Sequence, residues 1–255
     1  MISPIPDRNF DDIAKRFTRT IYDTMKGRIR LAALQQDFQD FHLPMAGQSV
    51  IDIGGGQGQF SLWLAKQGST ITLCDLSQEM LSMAKAYFAQ EQLTLTTHCL
   101  PLQRIPATLP EQYDIVLNHA VLEWLEQPLE ALPILASKVK PQGWLSLMFY
   151  NEYGHVWRHL MNGVLDTPMQ STEKLRKKGN APQHPLRPEQ IEKELTQLGF
   201  EIVRWRGVRN VYEHMPQKMR ERHSEAELIN IDLQYGLLEP YRRLSRYIHF
   251  LARKL

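Results

Sequence analysis

The stretch V-I-D-I-G-G-G-Q-G-Q-F, residues 50–60, decides the fold class because it joins an apolar run to four glycines. A strand that leads through glycines into a helix brings backbone N–H groups and the positive helix end close to a ligand. A dinucleotide-binding fingerprint would need a third glycine where the chain has Gln59, and a phosphate-binding P-loop would need a Gly-Lys-Ser/Thr run that does not follow. The pattern present is D-x-G-x-G-x-G, from Asp52 to Gly58.

Short strands and helices alternate along the chain around this stretch. Apolar and β-branched runs predict strands at 49–53, 70–74, 93–99, 113–118, 144–150, 200–211 and 247–252. Helices are predicted at 57–67, 78–90, 120–139 with interruptions at Pro128 and Pro133, 188–198, and across most of 215–243. Strands that alternate with helices at this spacing predict a mostly parallel sheet that is covered by helices on both faces.

Two segments lie outside this alternation. Residues 1–45 are predicted to form an N-terminal helical cap, because apolar residues recur at helical spacing: Phe10, Ile13, Phe17, Ile21, Met25, Ile29 and Ala33. Residues 151–187 interrupt the rhythm after the fifth strand, and a segment of this length is a candidate substrate lid. We expect residues 1–255 to form one elaborated domain, with two small domains as the alternative for a chain of 255 residues.

The composition is that of a soluble globular protein, with 43% hydrophobic and 23% charged residues. No apolar run approaches the roughly 20 residues that cross a bilayer, and residues 1–10 lack the apolar core of a secretory signal. The two cysteines, Cys74 and Cys99, lie in strand-like runs and are expected to be buried, reduced thiols, with neither a disulfide nor a metal site. A cytoplasmic protein without membrane contact is therefore expected.

Charge is distributed unevenly along the chain. Residues 1–154 contain 12 Lys and Arg against 16 Asp and Glu, whereas residues 155–255 contain 18 against 12. A basic carboxyl-terminal half indicates a surface for a polyanion, although a solvated helix face produces the same count.

Asp75 follows the second predicted strand, where a carboxylate accepts both ribose hydroxyls of a bound nucleoside. Such an acid is common to NAD and S-adenosylmethionine sites, so other features must discriminate between them. The run K-P-Q-G-W-L-S-L-M-F-Y-N turns tightly into the fifth strand, and Y-I-H-F-L-A-R-K forms a late strand. With D-x-G-x-G-x-G, this order resembles the class I S-adenosylmethionine-dependent methyltransferases, a Rossmann-like α/β fold. The resemblance implies a seven-stranded, mostly parallel sheet whose last strand is antiparallel.

Longer motifs point to one family within this class. The runs D-R-N-F-D-D-I-A-K-R-F, K-G-R-I-R, H-A-V-L-E-W, L-S-L-M-F-Y-N and R-Y-I-H-F-L-A-R-K are similar to those of bacterial tRNA 5-carboxymethoxyuridine methyltransferases. The likeness runs nearly end to end and is weakest between about residues 156 and 185. It implies S-adenosylmethionine as cofactor, the anticodon loop of tRNA as partner, and methyl ester formation on the carboxylate of the modified wobble uridine.

The resemblance also implies a set of cofactor-binding residues. Gly54 and Gly55 would approach the cofactor, Asp75 would accept the ribose hydroxyls, and the backbone of Pro101 and Leu102 would lie near the adenine. Arg30 would pair with the methionine carboxylate of the cofactor, and His119 would lie near its methionine portion. The stretch C-L-P-L-Q-R lacks the acid that many class I methyltransferases use for the adenine amino group.

These residues also have structural interpretations. Asp75 would serve equally as a helix cap, Arg30 as a solvated residue on an amphipathic helix, and His119 as a satisfied core histidine. The run from Lys174 to Lys178 is either a solvated face or a phosphate contact.

The expected acceptor needs no general base, because a carboxylate with a pKa near 4 is already ionised at neutral pH. The site needs instead a cation or hydroxyl that orients the carboxylate, and no catalytic residue is assigned. The polar candidates for contact with substrate are Tyr22, Lys26, Tyr150, Arg206, Arg209 and Tyr212.

Two other functions remain open at this point. A small-molecule methyltransferase of the same fold, acting on a quinone or a carboxylic acid, would suit the modest net charge of +2 and the long segment after strand five. A protein of this fold that binds nucleoside or RNA without turnover is the other alternative, and the intact glycines and Asp75 argue against it.

Overall fold

A seven-stranded sheet forms the centre of the protein. The computed structural model describes residues 24–165, 182 and 184–255. The strands are β1 (Ser49–Ile53), β2 (Thr70–Asp75), β3 (Thr96–Cys99), β4 (Tyr113–His119), β5 (Val139–Tyr150), β6 (Phe200–Val208) and β7 (Tyr247–Lys254), in the order β3-β2-β1-β4-β5-β7-β6. The first five are parallel, whereas β7 is antiparallel to both of its neighbours. This topology confirms the predicted fold class.

Helices cover both faces of the sheet. They are α1 (Met25–Asp40), α2 (Gln59–Lys66), α3 (Gln78–Gln90), α4 (Ile105–Thr108), α5 (Ala131–Lys138), α6 (Glu152–Met161), α7 (Pro188–Gln197), α8 (Val211–His214), α9 (Gln217–Arg220) and α10 (Glu225–Tyr235). Alternate residues of a strand face opposite sides. In β4, Ile115 and Leu117 accordingly pack in one core with α1 and α2, while Val116 packs in the other core with α5 and α7.

Several predicted boundaries differ from those observed, among them β5, which begins at Val139, and β6, which ends at Val208. Two further differences have a clear physical cause. The helix predicted over 120–139 is found only as α5: two 3-10 turns, Leu122–Trp124 and Pro128–Glu130, precede it, so the interruption at Pro128 is confirmed and the one at Pro133 is not. Pro133 fits the first turn of α5, where a backbone N–H has no partner within the helix. Strand β3 begins at Thr96 and not at residue 93, because the Leu93 N–H bonds the Phe88 carbonyl and closes α3.

The two segments outside the alternation are described in part. Helix α1 lies within the predicted cap, and Gly27 does not interrupt it. Residues 1–23 of the cap, which include Tyr22, lie outside the described residues. The segment 151–187 opens with α6, whose N-cap Asn151 accepts a hydrogen bond from the Tyr153 N–H, while residues 166–181 and 183 lie outside the described residues.

Both cysteines are free thiols, but only Cys74 is buried; Cys99 is exposed at the end of the edge strand β3, so the expectation of burial was wrong for it. Within the described ranges, no helix has the length and apolar character needed to cross a membrane. The same ranges hold no group of three or more His, Cys, Asp or Glu that would ligate a metal ion.

Candidate active site

The glycine loop between β1 and α2 has a backbone that only glycine accommodates. Gly54 has a φ of +74°, in the left-handed region, and a Cβ there would lie 2.4 Å from Cγ2 of Val121. A Cβ on Gly55 would lie 2.6 Å from Cγ of Asp52. The Gly54 N–H donates to the Cys74 carbonyl at 2.7 Å, which ties the loop to the neighbouring strand β2. The loop therefore lies tightly against the sheet and leaves its outer side open.

A cleft opens to solvent beside this loop, with about 370 Å³ of empty space that includes open solvent. It is lined by Gly27, Arg30, Leu31, Leu34, Asp52, Gly54, Gly55, Gln59, Phe60 and His119. Four residues predicted for cofactor binding, Arg30, Gly54, Gly55 and His119, thus come together from α1, the glycine loop and β4. Of the lining residues not predicted, Asp52 belongs to the glycine motif and Gln59 and Phe60 directly follow it, so the motif itself carried their signal.

The other three predicted cofactor residues lie on neighbouring strand ends and do not line this cleft. The Asp75 carboxylate ends β2 and accepts hydrogen bonds from the Gly56 N–H at 2.9 Å and the Ser77 N–H at 2.8 Å. Ser77, not Asp75, is the N-cap of α3. Pro101 precedes the 3-10 turn Leu102–Arg104 after β3, and the Leu102 side chain is buried in the core.

Burial sets the charge of two side chains in the cleft. Burial raises the pKa of Asp52 to about 6, despite the hydrogen bond that the Ser61 hydroxyl donates to it at 2.6 Å. Burial, together with the charge of Arg30, holds the pKa of His119 well below its usual range, so the imidazole is neutral. Arg30 donates to the backbone carbonyl of His119 at 3.3 Å.

A buried hydrogen-bonded chain, which we call the polar chain, connects His119 to the interior. Nδ1 of His249 lies 2.7 Å from Oδ2 of Asp37, and Nε2 of His249 lies 2.8 Å from the Ser146 hydroxyl. The same hydroxyl lies 2.8 Å from Nε2 of His119. The Ser146 hydroxyl thus bridges the two Nε2 atoms, and the chain runs without a break from the Asp37 carboxylate to the His119 ring.

Arg206 belongs to the same interior. Its side chain is fully buried, its Nε donates to Asp37 at 2.8 Å and its Nη1 donates to the Leu233 carbonyl at 2.8 Å. The prediction that Arg206 contacts substrate does not fit this placement, because its guanidinium is enclosed and already bonded to partners within the fold.

A second charged group lies at the carboxyl ends of β5 and β6. Arg158, Arg209 and Arg246 surround Glu213, with ion-pair distances of 3.6, 2.5 and 3.7 Å. Lys26 lies beside them, and its pKa is lowered by burial and by the charge of Arg209. We call these four cations with Glu213 the cationic cluster. Burial favours protonation of Glu213, but Arg209 and Arg246 outweigh it and lower the pKa of Glu213 to about 2.

The other residues predicted to contact substrate lie in two different places, some at the cationic cluster and one away from it. Tyr150 is buried beside the cluster, with the Arg246 guanidinium 4.7 Å from its ring centre and its hydroxyl 2.9 Å from Nδ1 of His155. Tyr212 packs between α1 and α10 and holds the Arg220 guanidinium 4.3 Å from its ring centre. Lys26, Tyr150 and Arg209 thus come together, whereas Arg158 and Arg246 were missed because a single basic residue in a polar or strand-like run gives no signal.

The family of the chain follows from its matches. A family model described as a methyltransferase domain matches residues 22–204. Solved structures of the same fold include magnesium protoporphyrin IX methyltransferase from Synechocystis PCC 6803, determined with bound SAM or SAH. The complex with SAH has a TM-score of 0.62 and 19% identity over 96% of both chains. The chain therefore belongs to the class I S-adenosylmethionine-dependent methyltransferases, and its cofactor is S-adenosylmethionine.

More similar sequences exist within this class. The chain is 37% identical over 253 residues to the tRNA 5-carboxymethoxyuridine methyltransferase of Escherichia coli (strain K12), covering 97% of both chains. It is 32% identical over 110 residues to the ubiquinone biosynthesis O-methyltransferase of Stutzerimonas stutzeri (strain A1501), covering 43% of this chain and 47% of the relative. The first similarity extends over nearly the whole chain, and the second is limited to less than half of it.

Proposed function

We propose that the protein transfers a methyl group to the carboxylate of 5-carboxymethoxyuridine at the wobble position of tRNA and so forms the methyl ester. The end-to-end similarity to a tRNA 5-carboxymethoxyuridine methyltransferase carries this proposal. A match that covers 97% of both chains extends well beyond the glycine loop and includes α1 and α6, which carry Lys26 and Arg158 of the cationic cluster. Action on tRNA would place the enzyme in the cytoplasm.

Ester formation requires alignment more than acid–base chemistry. Bound S-adenosylmethionine supplies a methyl group on a sulfonium sulfur, and the C–S bond breaks to leave a neutral thioether as the carboxylate oxygen bonds the methyl carbon. The acceptor is ionised at neutral pH, so the chain has no proton to remove. Its task is to hold the two reactants in line and to exclude water, which contributes several kcal/mol through proximity alone.

The proposed roles divide between the two sides of the site. On the cofactor side, Gly54 and Gly55 would allow the cofactor to approach the glycine loop closely. Asp75 would accept hydrogen bonds from the ribose hydroxyls, and the backbone of Pro101 and Leu102 would lie near the adenine. Arg30 would meet the methionine carboxylate and His119 the rest of the methionine portion. On the acceptor side, the segment 151–187 would act as a lid over the anticodon loop. Splayed loop bases are recognised by stacking and by contacts to phosphates, which suits a basic carboxyl-terminal half.

A direct test uses bulk tRNA from a strain that lacks the gene. Incubation with purified protein and labelled S-adenosylmethionine should convert 5-carboxymethoxyuridine into its methyl ester, detected by mass spectrometry of nucleosides. Asp75→Asn should lower the rate at limiting cofactor by about tenfold or more, since one acceptor for a buried hydroxyl is lost.

Asp114→Asn is the matched control. Asp114 also lies on a strand and accepts a backbone N–H, from Ser49 at 2.9 Å, but it is at the opposite end of the sheet. Its substitution should leave the rate within about twofold, the ordinary effect of a surface change. Unchanged methyl ester in tRNA from the deletion strain, or transfer to a quinone with none to tRNA, would refute the proposal.

A further inference from the structure

The cationic cluster has more positive than negative charge. Its three arginines all form their ion pairs with the same residue, Glu213, and none of them pairs with a second acid within the described part of the chain. The nearby acid Glu123 has a pKa that burial raises to about 7, so it is about half ionised at neutral pH. Even with Glu123 ionised, two carboxylates face three guanidinium groups and the Lys26 ammonium. Because Arg209 is buried and Arg246 is largely enclosed, such an excess of positive charge is unfavourable unless an anion joins it.

Some buried N–H groups of this cluster also lack a hydrogen-bond partner within the described residues. Nε of Arg209 and both Nε and Nη1 of Arg246 are buried without a hydrogen-bond partner among the residues that the structure describes. The Arg209 side chain is only 6% exposed, so water offers it little compensation. Buried donors nearly always have partners, and each exception calls for an explanation. An anionic ligand would supply acceptors for the guanidinium groups at this place.

The cluster borders the cofactor cleft. Lys26 precedes Gly27, which lines the cleft, and Arg30 follows one helical turn later on α1. On the sheet, His119 of the cleft pairs with Met148, and Tyr150 of the cluster side lies two residues further along β5. Two strand residues span about 7 Å, so an acceptor held at the cluster would reach the cleft. Access is through Arg158, whose side chain is 44% exposed.

We propose that Lys26, Arg158, Arg209 and Arg246 bind the carboxylate group of the methyl acceptor and present its oxygen to the cofactor cleft. This inference rests on the proposed function, because it names the group of that substrate which the site recognises. Arginine suits the task, since its planar N–H pairs match both oxygens of a carboxylate. Glu213 competes for the same N–H groups, so the acceptor oxygen retains electron density for attack on the methyl carbon.

The test compares Arg158→Gln with Arg158→Lys in methyl transfer to tRNA that carries 5-carboxymethoxyuridine. Loss of the charge should raise KM by about 10- to 100-fold, the range for one hydrogen bond to a charged group, with a smaller change in kcat. Arg158→Lys should recover most of the loss, because the charge remains. The Kd for S-adenosylmethionine, measured by calorimetry, should not change in either variant.

Arg28→Gln is the matched control, since Arg28 lies on α1, is 45% exposed and pairs with Glu225 away from the cluster. An equal rise of KM in this control, or a parallel loss of cofactor binding in Arg158→Gln, would overturn the inference. The Kd for tRNA that lacks the carboxymethoxy group should be the same for Arg158→Gln and for the protein without the substitution. If binding of this tRNA weakens as much as binding of the modified tRNA, the cluster binds RNA phosphate and the carboxylate assignment is wrong.

A binding measurement separates this inference from the proposed function. Methoxyacetate carries the same O–CH₂–COO⁻ group, and methoxyacetamide is its neutral counterpart. With SAH present, methoxyacetate should raise the Tm by about 1–3 °C over the amide at equal ionic strength, and Arg158→Gln should abolish the difference. No difference between the two compounds would overturn the carboxylate site even if tRNA is methylated. A difference without tRNA methylation would overturn only the proposed function.

Discussion

Two charged groups lie beside α1, and they differ in the balance of positive and negative charge. Around Asp37, two arginines, Arg204 and Arg206, meet two carboxylates, and the polar chain continues through hydrogen bonds to His119. Around Glu213, three arginines and a lysine share one carboxylate that is ionised at neutral pH. The first group is balanced within the fold, which is typical of a structural network. The second remains unbalanced, which is typical of a binding site.

Helix α1 connects the two groups. Asp37 lies eleven residues after Lys26, so they are about 16 Å apart along the helix axis. Arg30 lies between them and donates to the His119 carbonyl beside the cleft. One rigid element therefore joins the structural network, the cofactor cleft and the cationic cluster, and a displacement of α1 would affect all three.

The largest effect is expected from breaking the balanced group. Asp37→Asn leaves the fully buried Arg206 without its carboxylate, and loss of one partner of a buried ion pair costs about 3–5 kcal/mol. Urea unfolding should show this decrease in the free energy of unfolding. In the control Asp40→Asn, the carboxylate is 36% exposed, so the cost should stay below about 1 kcal/mol. Similar losses in both variants would contradict the distinction between the two groups.

An intermediate effect is expected from cutting the polar chain. Ser146→Ala removes the hydroxyl between His249 and His119 and leaves buried ring nitrogens without partners, at a cost of about 1–3 kcal/mol. Because His119 lines the cleft, affinity for S-adenosylmethionine should fall as well, which calorimetry would measure. Ser137→Ala is the control, since its exposed hydroxyl bonds the nearby Ile134 carbonyl at 2.7 Å, and it should change neither quantity. Full cofactor affinity in Ser146→Ala would show that the chain does not position His119.

The fold could be predicted from the sequence because the patterns that define its strands and its glycine loop are local. The glycine loop follows directly on an apolar strand, and β-branched runs such as 70–75 define strands without reference to distant residues. Where the signal depended on tertiary contacts, the prediction failed. The boundary at Leu93 depends on a bond back to Phe88, and the 3-10 turn Leu122–Trp124 contains no proline that would mark it in the sequence.

Only part of the site could be predicted from the sequence, for the same reason. Arg206 and Arg209 lie three residues apart in R-G-V-R, and the sequence does not reveal that Arg206 meets Asp37, 169 positions away. Arg209 lies beyond the end of β6 and meets Glu213, four residues later. The direction of a strand side chain and its distant partner decide whether a buried arginine is structural. Both are properties of the folded chain.

The smallest effect concerns the pH dependence of cofactor binding at the cleft that separates the two groups. Asp52 lines the cleft, and burial raises its pKa to about 6, so it is mostly neutral at pH 5 and mostly ionised at pH 7. The sulfonium of S-adenosylmethionine is positive, and attraction to an ionised Asp52 is worth about 1 kcal/mol when water screens it. Affinity measured by calorimetry should therefore rise several-fold from pH 5 to 7, and rise less for SAH, whose sulfur is neutral.

Asp52→Asn should flatten this pH profile of cofactor affinity. Glu123→Gln should retain the rise, because Glu123 does not line the cleft. An equal slope for both cofactor forms would mean that Asp52 does not sense the sulfonium charge.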